Sequence, residues 1–408
     1  MHIQIVEFEH WGHRLMHVRH LAEAVLPLAG KVTITVGTDV PASAEFKTHV
    51  APLLDRVTLD ATQQLPPSSG SQWGRAWQAA VQLGVAIRRV KPDHVWVPTA
   101  DHVTQGLGLT SYAGKRIFPA GVEAEGLMHR IAPAYPADSA TRRLKLRFIA
   151  SLLARAPWTR LHTVDHLAYE WMLARVGALA RKARLLPDPI DRVPPMSKAD
   201  GRRRLSIPQD GRYIGTCGAL DAHKGVDKLV AAFAAAKLEP NDRLLLAGRM
   251  TPDLRQRIEA ANGSILQSER VILMDRYLTD DELVAALAAM DVVATPSHGH
   301  IGISNIALRA QTAGRPVLGC DVGWQKLIVG GLRLGWIVNV ADTAAFAVMI
   351  RRSLDESATF APPPAAERLI AFHSQENYAA WITQRIRERM NLPPDPAQRD
   401  WQWVLDAT

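Results

Sequence analysis

Two cysteines in 408 residues rule out a disulfide framework, and Cys217 and Cys320 lie too far apart to match any metal-ligand spacing. They fit a reducing compartment. Long apolar runs are missing as well: no stretch approaches the roughly 18 residues that span a bilayer. The chain opens MHIQIVEFEHWGH, a strand-like run without the basic and apolar regions of a secretory signal. No solenoid-length repeat recurs, no Asp-x-Asp pair stands between strands, and basic residues are not interleaved with aromatics as on nucleic-acid-binding faces. A cytoplasmic protein with no nucleic-acid partner is expected.

What remains is ordinary for globular domains, with 47% hydrophobic and 22% charged residues, and the length suffices for two cores. Strand-like and helix-like runs alternate, which predicts βαβ units, parallel sheets and an α/β fold of two Rossmann-like doubly wound domains. HIQIVEF, KVTITVG, HVWVPTA, RIFPAG and RLHTVDH read as strands of the first domain. YIGTCGA, RLLLAG, VILMD, VVATP, PVLGC and WIVNV read as strands of the second. Between them LLPDPIDRVPPMSKADGRRRLSIPQDG, rich in proline and turn formers, marks a linker. The expected division is 1–190, 191–372, and a closing helix with tail over 373–408 that packs back on the first domain. Ligands of such sheets sit beyond the carboxyl ends of the strands, so the active site is expected in a cleft between the domains.

The net charge of +8 is concentrated in places. Thr141 to Arg155 (TRRLKLRFIASLLAR) sets Arg142, Arg143, Lys145, Arg147 and Arg155 beside leucines, Phe148 and Ile149. Such a helix either packs its apolar stripe inward, the commoner arrangement, or lies on an anionic membrane. Peripheral contact at the inner face of the membrane is the corresponding expectation.

The stretch ISNIALRAQTAGRP carries Ser304 or Asn305 at a helix start, Gly314 just past its end and Pro316 beyond. A helix start attracts a diphosphate through free N–H groups and the helix dipole. Lys224, after a strand end, adds a point charge.

From Gly211 to Asp342 the chain resembles the large retaining family of GT-B glycosyltransferases (family 4, group 1). The family's G-R-L-x-x-x-K-G appears as GALDAHKG, which keeps Gly218, Lys224 and Gly225 and puts Ala219 in place of the arginine. Its E-G-x-S-N-x-x-L-E-A appears as IGISNIALRA, which keeps Gly302, Ser304, Asn305 and Leu308, while Ile301 and Arg309 replace the two glutamates. The resemblance implies a nucleoside-diphosphate sugar as donor, no tightly bound cofactor, and a donor site built from Gly218, Lys224, His298, His300, Gly302, Ile303, Ser304, Asn305 and Arg309. In the family the second glutamate holds the ribose hydroxyls. Arg309 only donates hydrogen bonds, so it suits a carboxylate or phosphate, or else a salt bridge to a neighbouring acid.

In the first half, Gly12 and His13 match the position of a glycine turn near the donor phosphates. Asp101 and His102 end HVWVPTA, and Glu123 and Glu125 follow RIFPAG, where relatives keep a histidine near the sugar. These four are the candidate catalytic groups. His10, His13, His17 and His20 lack carboxylate or cysteine partners, and no metal is expected. The function expected is transfer of a hexose to a polysaccharide, glycolipid or similar acceptor in cell-surface glycan synthesis. A non-catalytic binding or scaffold relative and a sugar-nucleotide epimerase are the alternatives.

Overall fold

The computed structural model describes the chain apart from residues 12–13, 64–70, 176, 191–193, 298–301 and 408. It divides into two compact units, Met1–Asp188 with Gln375–Arg399 and Pro189–Ser374 with Asp400–Thr408. The last segment is therefore shared: the helix Gln375–Arg389 joins the first unit, packed on the helix Arg14–Val25, and Trp401–Leu405 joins the second.

The first unit holds β1 (His2–Glu7), β2 (Lys31–Gly37), β3 (Thr58–Gln63), β4 (His94–Val97), β5 (Glu123–Met128), β6 (Arg160–Thr163) and β7 (Ala183–Leu185). They form one parallel sheet in the order β3-β2-β1-β4-β5-β6-β7. Helices cover a parallel sheet on both faces, so its inner strands are mostly apolar. Ile3, Ile5 and Val6 of β1 are buried, and Gln4 between them donates to Thr35 Oγ1 at 2.8 Å. The helix Gln72–Val90 starts where the Ser71 hydroxyl accepts from Gly74 N–H and ends at Lys91 in the left-handed region, one residue before a proline.

Two expectations change here. RIFPAG is not a strand; β5 begins later, at Glu123, so Glu123 and Glu125 lie within the strand rather than after it. The sheet edges β3 and β7, with sequences TLDATQ and ARL, were absent from the sequence-derived set. An edge strand has neighbours on one flank only, so the first can be polar and the second short.

The second unit holds β8 (Tyr213–Cys217), β9 (Arg243–Ala247), β10 (Val271–Met274), β11 (Val292–Thr295), β12 (Val317–Cys320) and β13 (Gly335–Val338). All are parallel, in the order β10-β9-β8-β11-β12-β13. Ile214, Leu244, Leu246 and Val292 meet Leu229, Phe233, Phe346 and Ile350 from the covering helices in one core. The linker helix Lys198–Arg204 is tied to the sheet by Asp291, which accepts from Arg202 at 3.0 Å, Lys198 at 2.6 Å and Tyr213 N–H at 2.8 Å. Both sheets reverse their winding direction once, between β1 and β4 and between β8 and β11. A crevice for ligands opens at the carboxyl ends of such a pair.

Candidate functional site

In the second unit, β8 ends at Cys217 and the chain turns at Gly218, φ +92°. The Asp221 carboxylate accepts from Lys224 N–H at 3.0 Å and starts a single 3-10 turn, Ala222–Lys224. Gly225, φ +67°, then opens the helix Val226–Ala235. Only glycine fits there: a Cβ would stand 2.1 Å from the Pro296 carbonyl oxygen. This contact presses the turn against the end of β11. Across from it the Ser304 hydroxyl accepts from Ala307 N–H at 3.3 Å and caps the helix Asn305–Thr312. A Cβ built on Gly218 would lie 3.6 Å from Ile306 Cδ1 and 3.9 Å from Lys224 Nζ, so the ammonium and a side chain of the capped helix flank the same glycine. The N–H groups of that turn have no helical partner, and no ion pair engages Lys224 among the described residues.

Arg309 folds back along the same helix, with Nε donating to Asn305 Oδ1 at 2.8 Å. It forms no ion pair among the described residues, so the salt bridge weighed for it in the sequence is not made there. Burial pushes the Cys217 thiol up to about 12, while the charges of Lys224 and then Arg309 act in the opposite sense. Both cations therefore lie within electrostatic range of the carboxyl end of β8. Gly302 and Ile303 lead into the cap half-buried. His298, His300 and Ile301 lie outside the described residues. Asp221, which holds the lysine turn, was missed; its signal was the spacing Asp-x-x-Lys-Gly, a cap before a turn.

In the first unit the switch point opens into a cavity of about 350 Å³ lined by Glu7, Arg14, Thr99 and His102. Glu7, 4% exposed, binds Arg14 at 3.0 Å. Burial raises its proton affinity, with the Arg14 charge opposing. Nothing in the sequence singled out Glu7. Asp101 and His102 begin the helix Asp101–Tyr112 rather than ending a strand, because β4 stops at Val97. The Asp101 carboxylate is occupied by the backbone N–H groups of His129 at 3.2 Å and Arg130 at 2.9 Å. His102 alone of the four catalytic candidates lines the cavity.

Glu123 and Glu125 are corrected on geometry. Glu123 opens β5, at the end of the sheet opposite the cavity, and pairs with Arg385 at 2.7 and 2.9 Å, which holds its carboxyl below the usual range. Glu125 is 1% exposed between His162 Nε2 at 2.6 Å and His94 Nε2 at 3.2 Å. Burial acts to raise its pKa, but the two histidines together hold it well below the carboxylate range. Neither lines the cavity at the switch point. Gly12 and His13 lie outside the described residues. Among the described residues no three His, Cys, Asp or Glu side chains converge as a metal site would need, and no helix is long and apolar enough to cross a membrane.

Residues 211–356 match the family model of glycosyl transferases group 1. A D-inositol 3-phosphate glycosyltransferase of Corynebacterium urealyticum is 28% identical over 49% of this chain and 49% of its own length. A 2-deoxystreptamine glucosyltransferase of Streptomyces kanamyceticus is 29% identical over 46% and 49%. The chain thus spans about half the length of the curated relatives it matches. Among solved structures, sucrose-phosphate synthase of Thermosynechococcus elongatus superposes with a TM-score of 0.73 at 20% identity, covering 96% of this chain and 99% of that one. Anabaena Alr3699/HepE in complex with UDP superposes at 0.67 and 18% identity, covering 96% and 100%. The two parallel-sheet units have the GT-B fold.

Proposed function

We propose, from the premise that residues 211–356 belong to the glycosyl transferases group 1 family, that this chain transfers a hexose from a nucleoside-diphosphate sugar to a glycan or glycolipid hydroxyl. The observation that carries the proposal is Lys224: its ammonium and Ile306 Cδ1 of the helix Asn305–Thr312 flank Gly218 together, at the switch point of the second sheet. Free N–H groups, the helix dipole and a lysine at one point suit a diphosphate. The same groups would stabilise the charge that grows on the diphosphate as its bond to the anomeric carbon breaks, and such fixed electrostatic stabilisation usually dominates the rate gain. Complexes of Anabaena HepE with UDP and with UDP-glucose support a nucleotide-sugar donor.

The cavity of the first unit is the proposed acceptor pocket, with His102 as its candidate proton acceptor. Leu144 and Phe148 on the helix Ala140–Arg155 are 69% and 43% exposed among Arg143 and Arg147, which fits peripheral contact with an anionic membrane at the cytoplasmic face. A binding protein without turnover is the second reading, favoured by Ile301 and Arg309 in the places of two glutamates.

Thermal unfolding with nucleoside diphosphates and their sugars tests the proposal. A ligand at a hundred times its Kd stabilises by about 2.7 kcal/mol. The expected result is stabilisation by one base series, lost in Lys224→Ala, together with slow hydrolysis of one donor. Stabilisation without hydrolysis or transfer selects the binding protein; no stabilisation by any nucleotide removes the donor site.

A further inference from the structure

The 218–225 turn carries one lysine as its fixed cation, and the position where the family pattern has an arginine is Ala219, an exposed residue. A diphosphate esterified at both ends bears two negative charges, so Lys224 leaves one of them to be met elsewhere. Arg309 is a second cation near this point. Its Nε is fixed on Asn305 Oδ1 at 2.8 Å, which lays the guanidinium along the first turn of the capped helix. The remaining guanidinium nitrogens have no acceptor among the described residues. Ile306, in that same turn, flanks Gly218 together with Lys224 Nζ. No carboxylate competes for either cation: neither forms an ion pair among the described residues, and residues 298–301, His-Gly-His-Ile, contain no acid. A planar fork of donors matches phosphate oxygens two at a time, which an ammonium cannot do.

We infer that Arg309 is the second cation of the diphosphate site, supplied from the helix Asn305–Thr312 in place of the arginine missing at position 219. This rests on the donor site proposed above. The exchange moves the cation from one wall of the site to the other and preserves the charge that faces the ligand. It also turns Arg309 away from the hydroxyl-binding role that the glutamate in its place would have.

Isothermal titration of the full chain with UDP, GDP, ADP and inorganic pyrophosphate tests the inference, on wild type, Arg309→Ala, Arg309→Lys, Lys224→Ala and the pair Ala219→Arg/Arg309→Ala. Arg309→Ala is expected to weaken the binding nucleotide and pyrophosphate alike, by tenfold or more, with a shallower salt dependence. Arg309→Lys should fall between it and wild type. The pair should recover most of the loss, which a merely structural role for Arg309 would not allow. Unchanged affinity in Arg309→Ala while Lys224→Ala loses binding overturns the assignment of Arg309 and leaves the donor site standing. So does a loss confined to donors with an acidic sugar, tested with UDP-glucuronic acid against UDP-glucose. Absence of binding by the wild type to every probe overturns both.

Discussion

A methyl group on Gly225 would stand 2.1 Å from the carbonyl oxygen of Pro296. That closeness joins the turn after β8 to the end of β11, and Lys224 is the residue next to it. Gly225→Ala forces the two segments apart at a φ of +67°, where an L-residue is itself strained by about 1–2 kcal/mol. We expect a loss of more than about 2 kcal/mol in chemical denaturation and a weakened response to nucleotide. A variant within about 0.5 kcal/mol of wild type would show that the joint is not rigid.

Asp291 gathers Arg202, Lys198 and the Tyr213 N–H, and with Arg202 it is nearly excluded from water. Asp291→Ala leaves the buried guanidinium without its counter-ion, a change that costs about 3–5 kcal/mol. The second unit should therefore unfold at lower urea, and its nucleotide response should disappear in parallel with its structure. Equal midpoints for variant and wild type would refute the account.

Acid should unfold the first unit through Glu125 and His162. Burial lowers the proton affinity of His162, with Glu125 opposing, so the folded ring stays neutral where the unfolded one charges. Glu125 likewise stays ionised to lower pH than in the unfolded chain. Both folded values lie below the unfolded ones, so the unfolded state binds more protons as pH falls. Stability is full above about pH 6.5 and declines below it, first through His162 and then, from about pH 4.5, through Glu125. Urea midpoints from about pH 7.5 to about pH 4 should drop further for wild type than for Glu125→Gln/His162→Gln. Parallel slopes would exonerate the pair.

The helix Ala140–Arg155 should bring the protein down with vesicles. Leu144 and Phe148 lie one turn apart and exposed, and Phe148 packs on Trp73 and Tyr112 at centroid distances of 5.5 and 6.4 Å. Cosedimentation with phosphatidylglycerol vesicles is expected, little with phosphatidylcholine, and Leu144→Ser/Phe148→Ser should reduce it several-fold. Equal sedimentation of that variant would move the membrane contact elsewhere.

The central strands were legible because parallel strands buried on both faces are predominantly apolar, as in HIQIVEF, YIGTCGA and RLLLAG. The edge strands were not, since TLDATQ is polar and ARL too short for a pattern to form. The strand placed at RIFPAG shows the same limit from the other side: those apolar residues pack as loop, and the true strand EAEGLM begins with a charged residue and a buried one. No sequence pattern separates a carboxylate in a pocket from one enclosed by two histidines on neighbouring strands. Glu125 depends on partners 31 positions before it and 37 after it in the chain.

The sequence by itself determined the alternation of strand and helix, the capped helix after Ser304, and the exchange of acids for Ile301 and Arg309, because each is written within one turn or one strand. Only the tertiary structure decided which charges meet. Lys224 and Arg309 stand far apart in the chain, yet they follow β8 and β11, which are neighbours in the sheet. Salt screens charges from one another beyond roughly 10 Å, so partnership is set by folded distance and not by separation along the chain.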